Sequence, residues 1–250
     1  MSSAAGADGW AAVRFVAHRC GGRLAPENTL AGLRIAAARG YRAVEFDVML
    51  SADAVPFLIH DETLERTTDG RGEVGRTAAA ELRRRLANRG HEAEFPDERL
   101  PELADAAALC RELGLYANIE IKPAAGCEAI TGEVVGRAVR ALWREAPPPL
   151  LSSFSAAALA AARREWPAGE SALLFGQVPG DWAAQMADLG CTSLHAAARQ
   201  TDGHRLDAAI AAGVPVRCYT VNAIAEAKAL FSRGVAAVFT DAIDLLPVGQ

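Results

Sequence analysis

"VPVRCYTVNAIAEAKALFSRGVAAVFTD", residues 214–241, contains one full round of the pattern that decides the fold. An apolar run at 214–221 gives way to an Ala-rich helical pattern at 223–233, then Gly234, then a second apolar run at 236–241. The short Val- and Phe-containing runs suit strands, and the longer Ala-rich stretch suits a helix. The same succession extends back through the chain. Further strands are predicted at 14–18, 43–50, 55–60, 116–122, 149–154, 171–176 and 192–196. Further helices are predicted at 28–39, 101–113, 131–145, 155–165, 181–189 and 203–212. Several helices run into a glycine (Gly40, Gly114, Gly190, Gly213, Gly234), where a C-terminal cap calls for positive φ. Strand, helix, glycine, strand is the rhythm of βα units and a parallel sheet. Strand count and length favour a closed (β/α)8 TIM barrel over an open doubly wound sheet, and no GxGxxG follows a strand.

One segment breaks the rhythm. Residues 61–100 are polar and turn-rich, and then hold "AAAELRRRLANRG" at 78–90, which is expected to form a basic helix with Arg83, Arg84 and Arg85 on a solvated face. We expect this to be a small insertion after the second or third strand, over one mouth of the barrel. The organisation expected is a disordered lead at 1–10 and a single domain over 11–250.

Of the 250 residues, 51% are hydrophobic and 23% charged, which is ordinary globular composition. A net charge of -5 with no basic face argues against a nucleic-acid partner. No apolar run approaches the roughly 20 residues of a membrane span, and "MSSAAGADGW" lacks the basic and apolar regions of a secretory signal. The five cysteines are scattered, with no CxxC pair, as expected of reduced thiols in a cytoplasm.

In "AVEFDVML" (43–50), Val44, Phe46 and Val48 fall on one side and Glu45 and Asp47 on the other. The apolar side suits the helical layer, so both carboxylates point into the barrel. In "ANIEIK" (117–122), Asn118, Glu120 and Lys122 share the inward side by the same alternation. Buried like charges need a compensating cation. Three inward carboxylates suggest an oxygen-ligand site for Mg²⁺ or Ca²⁺, since no Cys or His cluster has zinc spacing. The alternative is a structural ion network with Arg19 and Lys122.

The four residues Ser51 to Ala54 cannot contain a crossover helix, so strands 43–50 and 55–60 are expected to form a hairpin. With its centre between Ala52 and Asp53, His60 would lie directly across from Glu45. His18 and His60 each end an apolar run. Two such imidazoles beside a carboxylate-bound cation could move protons while the cation polarises a phosphoryl oxygen. Arg19 and Lys122 could hold the remaining phosphate charge. Gly21 and Gly22 give a loop that lets a ligand approach, Pro26 and Glu27 shape the turn, and Asn28 or Thr29 is the expected N-cap of the next helix.

Together these pieces resemble the glycerophosphodiester phosphodiesterase family. The matching segments are "AHRCGGRLAPENTL", "VEFDVMLSADAVPFLIHDETLERTTDGRG", "LPEL", "NIEIKP", "LLSSF", "YTVN" and "TDAID", in order from residue 17 to 244. "ANIEIKP" and "PPPLLSSF" look most like bacterial cytosolic members linked to glycerol-phosphate uptake. The resemblance implies a barrel that hydrolyses small-molecule glycerophosphodiesters to sn-glycerol 3-phosphate and an alcohol. It implies His18 and His60 as the acid/base pair, with His18 as the working choice of base. Glu45, Asp47 and Glu120 would hold the cation, Arg19 and Lys122 would contact phosphate, and Phe154 and Tyr219 would line the substrate pocket. The family usually has glycine where this chain has Cys20; a passive thiol is expected there rather than a nucleophile.

Overall fold

The computed structural model describes residues 9–144, 147–199 and 203–245. Its strands are β1 (Phe15–Ala17), β2 (Ala43–Leu50), β3 (Pro56–Leu58), β4 (Tyr116–Ile121), β5 (Leu150–Ser153), β6 (Glu170–Phe175), β7 (Ser193–Ala197), β8 (Val216–Tyr219) and β9 (Ala237–Thr240). Its helices are α1 (Leu30–Ala38), α2 (Ala79–Leu82), α3 (Leu103–Leu113), α4 (Glu128–Leu142), α5 (Ala156–Glu165), α6 (Trp182–Leu189), α7 (Gly203–Ala211) and α8 (Ile224–Ser232). Residue 145, the end of one expected helix, lies outside the described residues, and α4 begins at Glu128, ahead of the expected start.

The sheet runs β1-β9-β8-β7-β6-β5-β4-β2-β3, and a β1–β2 pairing closes it. All pairings around the ring are parallel; only β3 is antiparallel, attached to β2. The result is the closed eight-stranded parallel barrel that the strand–helix rhythm implies. Local chemistry sets the element ends. The Thr29 hydroxyl caps α1 by accepting from the Gly32 N–H, while Gly114 and Gly190 end α3 and α6 in the left-handed conformation.

Alternation splits the core in two. Val44, Phe46, Val48, Ile119 and Ile121 belong to the large cluster shared with helix residues such as Leu33, Leu103 and Val135. Val16, Ala43, Tyr116, Leu150, Ala172, Ala237 and Phe239 form a second cluster within the ring, into which Trp10 and Val13 also pack. Residues 9 and 10, counted in the expected disordered lead, are ordered. Gly9–Ala12 is a 3₁₀ turn, and Trp10, buried, rests against Tyr116 with ring centroids 5.8 Å apart. Residues 1–8 of that expectation lie outside the described residues.

Two further expectations need correction. The basic helix expected at 78–90 is confined to the single turn of α2; Arg83 to Arg85 follow it, and Leu86 bridges to Arg99 instead. Over 61–100, Leu64, Val74, Leu82 and Leu100 close on Met49, Phe57 and Ile59 as a third apolar cluster. The hairpin exists, but its register is one residue away from that expected. Val48 pairs with Leu58 and Leu50 with Pro56, so the centre falls on Asp53 and His60 is not opposite Glu45. The Ser51 N–H donates to the Val55 carbonyl at 2.9 Å, leaving three residues in the loop, the last of them Ala54 at φ 60°. An odd loop with a left-handed third residue moves the register by one.

Candidate active site

Parallel pairing of β2 with β4 places Asp47 beside Glu120 and Glu45 beside Asn118. Glu45, Asp47 and Glu120 each offer an oxygen within 4.8 Å of the others'. Burial, followed by the Asp47 and Glu120 charges, pushes the Glu45 carboxyl well above its usual range. Burial and Asp47 push Glu120 up to about 7. Three acids so placed offer the all-oxygen donor set that fits a hard cation.

The neighbouring cations do not match that charge. Lys122 Nζ is 3.4 Å from Glu120 and 3.9 Å from Asp47, while Arg19 Nε is 3.9 Å from Asp47. Arg19 reaches Glu27 more closely, at 3.0 Å. Asn28 holds Asp47 from both sides: its amide Nδ2 donates to Asp47 Oδ2 at 2.9 Å, and its Oδ1 accepts the Asp47 backbone N–H at 3.0 Å. This settles the choice left open by the PENT segment, with Thr29 as the cap and Asn28 as a clamp at φ 58°.

The β1–α1 loop brings the remaining groups in. Arg19 and Cys20 have φ of 49° and 72°, which turns the Arg19 N–H onto Glu45 Oε2 at 2.8 Å. Gly22, at φ 53°, lies so close to Asp241 that a Cβ there would meet its carbonyl oxygen at 2.3 Å. Cys20 is fully buried, and burial raises its thiol well above the usual value. That environment disfavours the thiolate a nucleophile needs.

His18 Nδ1 lies 2.6 Å from Asp241 Oδ1, and its Nε2 is 3.8 Å from Glu45. His60 has the same arrangement, with Nδ1 2.6 Å from Asp61 Oδ1 and Nε2 3.2 Å from Lys122 Nζ. Burial holds the His60 imidazole below its ordinary pKa, with Arg19 and Lys122 acting in the same direction. Arg66 ties the region together by donating to Asp61 at 2.5 Å and Glu27 at 2.6 Å. The Phe154 and Tyr219 rings meet edge to face at 6.0 Å; Phe154 is exposed, and the Tyr219 hydroxyl donates to the Phe175 carbonyl. Two clefts flank the carboxylates. One, of about 500 Å³, is lined by His18, Arg19, Arg23, Arg66 and Arg89; the other, of about 660 Å³, by His60, Glu120, Lys122 and Phe154.

All nine residues singled out from the sequence therefore border this region. Sequence reasoning passed over Asp241, Asp61 and Arg66, and gave Glu27 and Asn28 only turn and cap roles. The available signal was an acid next to a strand-end histidine ("HD", 60–61) and at a strand end ("TD", 240–241).

A family model described as the glycerophosphoryl diester phosphodiesterase family matches residues 18–245. Rat glycerophosphodiester phosphodiesterase 1 is 42% identical over 112 residues, 43% of this chain and 34% of the rat protein; the match thus spans about a third of that relative's length. An Oleispira antarctica phosphodiesterase, solved with the product sn-glycerol-3-phosphate, superposes with TM-score 0.85 at 34% identity, covering 92% of this chain and 93% of that one. A glycerophosphodiester phosphodiesterase from Agrobacterium tumefaciens gives 0.76 at 26% identity, covering 93% and 98%.

Proposed function

Starting from the fact that this chain belongs to the glycerophosphoryl diester phosphodiesterase family, we propose that it hydrolyses glycerophosphodiesters to sn-glycerol 3-phosphate and an alcohol. The observation that carries this reading is the pair of imidazoles, each tied at Nδ1 to a carboxylate 2.6 Å away, on a ring that also gathers three acids. Glu45, Asp47 and Glu120 would hold one Mg²⁺ or Ca²⁺, which when bound supplies positive charge to a non-bridging phosphoryl oxygen.

The chain's own groups do the rest. Asp241 fixes the His18 tautomer with hydrogen on Nδ1, leaving the Nε2 lone pair facing the carboxylate cluster as base. His18 takes the proton of the nucleophile: water attacks phosphorus directly, or the substrate's glycerol hydroxyl attacks to give a cyclic phosphate that a water then opens to sn-glycerol 3-phosphate. As the phosphorus–oxygen bond to the alcohol breaks, His60 gives that oxygen a proton. Asp61, at Nδ1, supports the charge of the imidazolium that makes this transfer. Arg19 and Lys122 orient the phosphate, and Phe154 and Tyr219 flank the organic part of the substrate. The clefts on either side give the two arms of a diester separate exits. The unpaired cysteines fit a reducing cytoplasm. Among the described residues no helix is long and apolar enough to cross a membrane.

The test is a panel of glycerophosphodiesters assayed after EDTA treatment and again with Mg²⁺ or Ca²⁺ restored. Turnover should vanish and return. Full activity in EDTA, or no hydrolysis of any member with either metal, contradicts the proposal.

A further inference from the structure

Inside the ring, bounded also by His18, Glu120 and Tyr219 of the candidate site, is a cavity of about 30 Å³ whose further lining is Glu45, Asn118, Leu174, His195 and Phe239. Three of these residues have buried polar atoms without a partner: Glu45 Oε1, Asn118 Oδ1 and both ring nitrogens of His195. Glu45, Asn118 and His195 are 3%, 2% and 1% exposed, so bulk water does not satisfy them. Their other polar atoms are committed. Asn118 Nδ2 donates to Ser152 Oγ at 3.0 Å, and Glu45 Oε2 accepts from the Arg19 N–H.

The donor and acceptor types are complementary to one small molecule. Burial, reinforced by Arg217, keeps the His195 pKa well below its ordinary value, so the ring is neutral with one N–H. Its position is set by Phe239, with ring centroids 5.0 Å apart. Glu45 Oε1 and Asn118 Oδ1 are both acceptors. A buried donor or acceptor left without a partner in this setting is destabilising. The volume suits a single water, which needs at least about 10–15 Å³ and two or more polar partners.

We propose that one ordered water occupies this cavity, accepting from His195 and donating to Asn118 Oδ1 and Glu45 Oε1, so that His195 acts as a positioning residue for the Glu45 carboxylate. The water would fix the direction of the Glu45 oxygens, as outer partners of ligating groups do. The functional consequence rests on the reading of Glu45, Asp47 and Glu120 as cation ligands.

Two measurements on the full chain test this. A high-resolution crystal structure should show one solvent peak within about 3.2 Å of a His195 nitrogen, Asn118 Oδ1 and Glu45 Oε1. Calorimetric titration of the EDTA-stripped protein with Mg²⁺ should give a Kd about 10-fold higher or more in His195→Phe. His195→Gln, which keeps a donor, should recover most of that loss. A merely structural role would lower Tm and leave the Kd where it was. A dry cavity, a cation centred in it, or a wild-type Kd in His195→Phe overturns the proposal. Should that variant not fold, Asn118→Leu carries the same expectation and the same overturning result. If the wild-type protein binds neither Mg²⁺ nor Ca²⁺, the cation reading fails, while the solvent peak still decides the water.

Discussion

At the scale of single residues, each histidine owes its direction to an acid. Asp241 and Asp61 hold Nδ1 of His18 and His60, so each ring presents its other nitrogen to the site. His18→Ala and His60→Ala are each expected to lose on the order of 10²-fold or more in kcat while still binding Mg²⁺. Steady-state kinetics with calorimetry checks both, and near-normal kcat in the pair would refute the assignment. Asp241→Asn, which can donate to Nδ1 and so reverse the tautomer, should fall by a similar or larger factor in kcat. An unchanged rate would show that Nδ1 orientation is unimportant. The three carboxylates stood out in the sequence because strand alternation puts them on one face, and the two histidines because each ends an apolar run. Asp241 was harder to recognise, since its partner lies 223 residues away and "TD" alone carries little information. Asn28 was hidden by its type, because an asparagine before a helix suggests a cap.

At the scale of elements, βα rhythm and terminal glycines were enough to place nearly every strand and helix. The failures came where tertiary contacts overrode local pattern. The hairpin register depended on Ala54 adopting a left-handed φ, which alanine's own preferences do not suggest. The Arg-rich stretch is helical in composition, yet after one turn Leu86 leaves to bridge Arg99 and Leu100 packs beneath. Helix pairing offers a sharper check. A Cβ on Gly132 of α4 would meet the Ala158 carbonyl oxygen of α5 at 2.0 Å, against backbone that cannot turn aside. Gly132→Ala should therefore cost about 1–3 kcal/mol through overpacking, despite alanine's better helix propensity. Urea denaturation measures it, and a stabilised variant would mean the helices stand farther apart.

At the scale of the whole molecule, the barrel gathers acids that it does not neutralise. The Glu120 carboxyl, pushed up to about 7 by burial and Asp47, would release its proton near 4.3 in the unfolded chain. Between those values the folded state binds more protons at this group, so its contribution to stability is greatest at the acid end and declines as pH rises through 7. The Asp61 carboxyl, held low chiefly by its bond to Arg66, titrates below that window, while His60 and His195, lowered by burial, pull the other way near neutrality. Comparing thermal melts in EDTA cancels the histidines: Tm should fall more steeply from pH 5.5 to 8 in the wild type than in Glu120→Gln, with saturating Mg²⁺ reducing the difference. Equal slopes in the two proteins would contradict it.

Closure of the ring has its own consequence. β1 hydrogen-bonds to both β2 and β9, so His18 stands between a neighbour made early and one made about two hundred residues later. A chain emerging from the ribosome can assemble Glu45, Asp47 and Glu120 long before residue 241 exists to orient that imidazole. Competence should thus arrive abruptly once residue 241 has been made, and nascent chains arrested before β9 should be inert.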